Sequence, residues 1–238
     1  MNAMLASVRN LDEARMALDG GCDWLDIKEP AQGALGQVAL EVVSEIVELA
    51  AARVPVSATI GDRWDQAATI PDAVIAMSAT GVDYVKVGLR ARGLYAATRS
   101  AMGEACAGAR KVIAVCMAEA PPTRADIASL AACGVRGVML DTMDKHGPGL
   151  TGLLADQDLR DFVSAAREWQ LLVGLAGRLK REDIARLAPC GADYLGFRSA
   201  LCAAGERRAS LDALAFAAVR AALNRAQVRN TNNASEVN

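Results

Sequence analysis

Apolar residues alternate with polar ones in four short stretches that share a leading glycine: Gly21 to Lys28, Gly81 to Gly88, Gly134 to Asp141 and Gly191 to Arg198. Counted onward from that glycine, the fourth and sixth positions are Leu25 and Ile27, Val85 and Val87, Val138 and Leu140, Leu195 and Phe197. The fifth and seventh are Asp26 and Lys28, Lys86 and Gly88, Met139 and Asp141, Gly196 and Arg198. Strand side chains alternate between faces, so each stretch predicts a strand with one apolar face and one that is mostly polar or glycine. The leading glycine suits the left-handed turn that closes a preceding helix. An enclosed polar face costs free energy unless its groups are paired or used, and the search for chemistry starts there.

The rest of the chain fills in around these copies. A strand near Met4 to Val8 precedes a helix from Leu11 to Gly20 with Asn10 as its cap. The second strand, Trp24 to Lys28, runs through a glycine-containing loop into a helix near Leu40 to Ala52, and a third strand covers Val54 to Ile60. Helices are expected over Ile70 to Thr80, Leu94 to Ala107, Arg124 to Ala132, Asp156 to Trp169, Arg181 to Ala188 and Leu211 to Val228. The strands between them are Tyr84 to Val87, Lys111 to Cys116, Val138 to Asp141, Leu171 to Leu175 and Tyr194 to Phe197. Eight strand-helix units predict an α/β fold, a single (β/α)8 TIM barrel over residues 1–228, followed by a polar tail at 229–238 expected to be disordered. An open doubly wound sheet would call for Gly-x-Gly-x-x-Gly after the first strand, and none is there. The four glycine-led strands are then the even-numbered ones, whose inward side chains share layers near the catalytic end of such barrels.

Composition narrows the function classes. A chain of 238 residues with 53% hydrophobic residues can bury a large core, and a net charge of −2 without a basic stripe argues against nucleic acid as a partner. The six cysteines are scattered without a Cys-x-x-Cys pair, so neither a disulfide framework nor a metal site is expected, and no cofactor motif appears. The N-terminus does not read as a signal peptide and no apolar run has membrane-spanning length, so a cytoplasmic protein without a membrane partner is the expectation. The alanine-rich last helix offers a surface on which a second copy could pack, which leaves a homo-oligomer open.

Lys28 and Lys86 stand out on the inward face, with Asp26 one pleat below Lys28 and Asp141 on a further even strand. A nearby cation disfavours an ammonium and a nearby carboxylate favours it, and that balance decides whether a free amine can attack a carbonyl to form a Schiff base. A structural ion-pair layer would present the same residues. Asp141 with Lys145 in the following loop could position a hydroxyl or shuttle a proton, or form a loop salt bridge. Ser57 and Thr59 share a face of the third strand and could bond substrate oxygens or neighbouring backbone. The unique His146 sits beside Gly147-Pro148-Gly149 and is left outside the core set, and no Ser-His-Asp set can be assembled. Gly177, Gly196, Arg198 and Ser199 fall in the loops after strands seven and eight, where barrels often bind phosphate; tight turns also need such glycines.

Together, Asp26-Ile27-Lys28-Glu29-Pro30 with Gly33 and Leu35-Gly36, Pro55 to Asp62 and Gly81 to Leu89 resemble the (5-formylfuran-3-yl)methyl phosphate synthase family. The resemblance continues through Met139 to Thr142 with Lys145 and through Asp193 to Arg198, spanning most of residues 4 to 205. It implies a lyase that makes 4-(hydroxymethyl)-2-furancarboxaldehyde phosphate from two glyceraldehyde 3-phosphate molecules, with loss of one phosphate and two waters, for methanofuran or methylofuran biosynthesis. It also implies Lys28 as the Schiff-base lysine and Lys86 as the proton acceptor, with Asp26, Asp141 and Lys145 at active-site positions. The loop His146 to Gly149 departs from the more charged sequence of archaeal members. A Schiff-base aldolase or isomerase of another phosphosugar, or a phosphometabolite-binding barrel without activity, would share the lysines and loops.

Overall fold

The computed structural model describes residues 2–90, 95–144 and 146–235, with side chains described up to residue 228. Eight parallel strands close into a barrel in chain order: β1 (Ala3–Val8), β2 (Trp24–Ile27), β3 (Val56–Thr59), β4 (Tyr84–Leu89), β5 (Val112–Met117), β6 (Gly137–Asp141), β7 (Leu172–Leu175) and β8 (Tyr194–Phe197). Helices α1 (Leu11–Asp19), α2 (Leu40–Ala50), α3 (Ile70–Ser78), α4 (Ala96–Cys106), α5 (Arg124–Ala132), α6 (Leu150–Leu153), α7 (Asp156–Arg167), α8 (Ile184–Leu187) and α9 (Ala213–Ser235) lie between or after the strands. The expected barrel is therefore present. Three local differences stand out. The helix expected over Arg181 to Ala188 shortens to α8 between two 3-10 turns, Arg181–Asp183 and Ala188–Cys190, the second containing Pro189, which has no N–H to continue the helix. Helix α6, hidden by the Gly147-Pro148-Gly149 turn signal, fills the loop after β6. Helix α9 begins at Ala213, and its backbone continues to Ser235 through most of the segment expected to be disordered.

The four repeat glycines do what their residue type suggests. Gly21, Gly81, Gly134 and Gly191 all have positive φ, at 78°, 88°, 89° and 80°. A second feature of the repeat emerges only in three dimensions. Two residues after the glycine, the carboxylates of Asp23, Asp83 and Asp193 accept hydrogen bonds from an N–H near the start of the preceding strand, Met4 at 2.7 Å, Val56 at 2.8 Å and Val173 at 2.7 Å. Each bond pins an odd strand to the start of the next even one.

Inward side chains of the even strands stack in layers. Trp24 and Tyr194 close the lower end of the barrel, with ring centroids 5.0 Å apart, and Tyr84 packs 4.9 Å from Trp24. Around them Leu5, Ile113, Val115, Met117 and Met139 complete an inner core separate from the larger one between strands and helices. The Tyr194 ring lies against Gly174 so closely that an added Cβ would sit 2.3 Å from Cε2 and 2.6 Å from the hydroxyl oxygen. We expect Gly174→Ala to destabilise the fold by about 1–3 kcal/mol through overpacking, read by urea denaturation. Unchanged stability would mean that the Tyr194 ring has room to move aside.

Candidate active site

Above the aromatic layer, Asp26, Lys86, Met139 and Gly196 occupy the fifth position of each copy, and Lys28, Gly88, Asp141 and Arg198 the seventh. Lys86 Nζ lies 2.7 Å from Asp26 Oδ1, a contact ion pair between two buried groups. Lys28 Nζ lies 3.9 Å from Asp26 Oδ2 and 3.7 Å from Asp141 Oδ2, so it bridges two carboxylates while Lys86 shares one of them. Both amines thus face one carboxylate from adjoining layers. Lys86 is 1% exposed and Lys28 8%, which makes Lys28 the amine nearer the opening and Lys86 the one beneath it.

The surrounding groups fix the charge states. Burial alone would raise the Asp26 carboxyl pKa, but the charges of Lys86 and Lys28 and the Ser57 hydroxyl outweigh it and hold the group below its ordinary range. Burial pushes the Lys86 ammonium the other way, toward the free amine, helped by the charge of Lys28 and opposed by Asp26 and Asp141. A buried amine with a lowered pKa beside a reachable amine is a pairing suited to proton removal next to an imine.

Other expected residues are placed differently from their sequence reading. Ser57 Oγ donates to Asp26 Oδ1 at 2.7 Å, and Ser7 Oγ donates to Oδ2 at 3.2 Å, so Ser57 orients the carboxylate from full burial and is not available to substrate. Thr59 Oγ1 donates to the Gly36 carbonyl at 2.9 Å, which ties down the loop after β2. Arg198 is no open phosphate fork. Its guanidinium is paired with Glu13 and also donates to the carbonyls of Ser7, Arg207 and Ala209, locking β8 to α1. Gly177, Gly196 and Ser199 do line the small opening beside Lys28 and Asp141. Gly177 approaches the β6 loop so closely that a Cβ would come within 2.7 Å of Thr142 Cγ2. Lys145 lies outside the described residues.

Loop residues quoted for the resemblance build the roof of this site. Asp62 accepts from the N–H groups of Ala34 and Leu35 at 3.1 and 3.0 Å, which presses Leu35 down over the barrel. Gly88 leaves the space: a Cβ there would meet Leu35 Cδ1 at 2.4 Å and Trp64 at 2.8 Å. Sequence reading missed Arg178 and Arg207, which stand at the opening, and Glu119, whose carboxylate accepts from Met143 and Asp144 N–H and shapes the loop after β6. Only Arg178 carried a sequence signal, its place directly after Gly177.

Comparison with known proteins bears on the same residues. The family model described as 4-HFC-P synthase matches residues 4–220. The chain belongs to the 4-HFC-P synthase family. A Methylorubrum extorquens relative is 42% identical over 210 residues, covering 88% of this chain and 86% of its own. The (5-formylfuran-3-yl)methyl phosphate synthase of Methanopyrus kandleri is 36% identical over 218 residues, with 86% of this chain and 91% of the relative covered. Among solved structures, 3-hexulose-6-phosphate synthase from Salmonella typhimurium superposes with a TM-score of 0.67 at 14% identity, covering 94% of this chain and 99% of that one. Phosphoribosyl anthranilate isomerase from Thermus thermophilus gives 0.65 at 18%, with 94% and 99% covered. At such identities these two speak for the barrel alone. As a 4-HFC-P synthase family member the protein is an enzyme of furan-based cofactor biosynthesis. Among the described residues no helix is long and apolar enough to cross a membrane.

Proposed function

We propose that the enzyme is a lyase that condenses two glyceraldehyde 3-phosphate molecules to 4-(hydroxymethyl)-2-furancarboxaldehyde phosphate through an imine on Lys28. The observation that carries this reading is the shared carboxylate: Asp26 stands 2.7 Å from buried Lys86 and 3.9 Å from reachable Lys28. The Lys28 amine adds to the aldehyde carbon of one triose and water leaves, giving a protonated imine whose nitrogen withdraws electrons. Lys86, held toward its free amine by burial, takes the proton from the adjacent carbon. The resulting enamine attacks the aldehyde of the second triose. Hydrolysis of the imine returns the water lost on its formation and frees the Lys28 amine, and loss of one phosphate and two further waters on the way to the ring leaves the furan without any net oxidation, so no redox partner is required. Asp141, 3.7 Å from Lys28, is placed to assist the proton movements as water departs. Product flow into methanofuran or methylofuran, and a cytoplasmic setting, belong to the same proposal.

The test is direct. Protein incubated with glyceraldehyde 3-phosphate alone should develop furan absorbance and release phosphate, and borohydride should trap a triose adduct on the Lys28 peptide. Formation of a hexose phosphate without furan would instead make the protein an aldolase, and an unmodified Lys28 peptide in folded, saturated enzyme would end the Schiff-base account.

A further inference from the structure

Two phosphorylated substrates need room and positive charge, and the opening directly over Lys28 is a space of only about 30 Å³. Beside it, over the loops after β7 and β8 and against α9, lies a cavity of about 660 Å³. Its wall carries Arg178, Lys180, Arg181, Arg207 and Arg208 against Glu182 and Glu206, so it favours an anion. Arg178, Ser199 and Arg207 line both spaces and form the partition between them.

The two partition arginines differ from Arg198, whose donors are spent on Glu13 and three carbonyls. Among the described residues Arg178 Nη1 is buried with no hydrogen-bond partner, and its backbone holds a left-handed φ of 54°, a conformation that costs energy for a residue with a side chain. A buried guanidinium N–H without an acceptor calls for an explanation, and an anion bound at this wall supplies one. Arg207 spends one N–H on the Gly33 carbonyl at 3.0 Å, which sets its guanidinium between the roof loop and the partition.

We propose that Arg178 and Arg207 form a clamp for a phosphate monoester at this partition, and that the larger cavity seats the second phosphorylated triose while the first is held on Lys28. A monoester presents nearly two negative charges and three acceptor oxygens, which suits two guanidinium forks converging from different loops. The assignment of the second substrate rests on the condensation proposed above; the clamp itself rests on the two arginines alone.

Glycerol 3-phosphate, which has no aldehyde and cannot form an imine, is the probe. Calorimetric titration of the wild-type chain, Arg178→Gln, Arg207→Gln and Arg207→Lys should show its Kd rising about ten- to a hundredfold in each Gln variant, as for loss of a charge-assisted bond, with Lys restoring part of the loss. Circular dichroism establishes folding, and Arg207→Lys, which keeps the charge, serves if a Gln variant does not fold. Borohydride trapping of glyceraldehyde 3-phosphate on Lys28 should survive in the Gln variants while furan formation falls further than adduct formation. Wild-type affinity for glycerol 3-phosphate in all variants overturns the clamp. Affinity that depends on both arginines, in a wild type whose Lys28 is never trapped, would retain the clamp and sink the Schiff-base reading instead.

Discussion

Asp26→Asn is expected to reduce furan formation by about 10²–10⁴-fold and to cost about 3–5 kcal/mol of stability at mildly acidic pH. Both effects have one source. The carboxylate receives Ser57 Oγ at 2.7 Å and Ser7 Oγ at 3.2 Å, and it faces Lys86 at 2.7 Å and Lys28 at 3.9 Å. An amide of the same shape keeps the packing but removes the negative charge and turns an N–H₂ toward groups that are already donors. Two buried cations are then left against each other, with Asp141 still 3.7 Å from Lys28. Lys86 has an escape, because its pKa is already lowered by burial and falls further once Asp26 is neutral. Between that folded value and the ordinary lysine value near 10.4, the unfolded chain binds more protons than the native one, so stability rises with pH through the window. The variant's window starts lower. Its deficit against wild type should therefore be largest near about pH 6 and smaller near about pH 9, measured by urea denaturation at both. A variant with wild-type stability at the lower pH, or with most of its turnover, would show that the shared carboxylate does not govern the two amines.

Much of this architecture is legible in the chain because it repeats. The glycine-led copies announce four helix-to-strand turns, and the period-two pattern puts Asp26, Lys28, Lys86 and Asp141 on inward faces. What pattern alone does not reveal is which inward group meets which. The pairing of Ser57 with Asp26 depends on the β2–β3 register, in which those two residues lie side by side. Arg198 looks available in sequence because Glu13, its partner, stands 185 positions away. Lys86 takes the fifth position of its copy and Lys28 the seventh, which sets Lys86 a layer lower, at 1% exposure. Arg207 belongs to an irregular stretch after β8 where no periodicity operates, and only the closed barrel brings it to Gly33. The aspartate two residues after the glycine recurs in the sequence as Asp23, Asp83 and Asp193, but its bond to a neighbouring strand's N–H makes sense only once the strands are known to be parallel and adjacent.

Lys86→Met should separate the two amines chemically. Methionine fills most of the volume of the lysine stem without its charge, so the barrel interior stays packed. Lys28 keeps both carboxylates within 3.9 Å and its 8% exposure, and borohydride should still trap the triose on it. Without the buried base the proton next to the imine has no acceptor, and furan formation should fall by about 10²–10⁴-fold while the adduct accumulates. The same substitution changes the response to acid. In wild type the folded Asp26 pKa lies below the ordinary aspartate value near 3.9, so the carboxylate contributes stability that is present above that value and lost as pH falls through the folded one. Removing Lys86 takes away the larger of the two charges that offset burial, and the Asp26 pKa moves up. The acid-side contribution shrinks or changes sign, so the stability gap between wild type and variant should widen from about pH 3 to about pH 6. Denaturation curves across that range, read beside the trapping experiment, check both halves. Full turnover in the variant removes Lys86 as the base. Loss of the Lys28 adduct, or a wild-type adduct found on Lys86 itself, would exchange the roles of the two amines and place the nucleophile in the deeper layer.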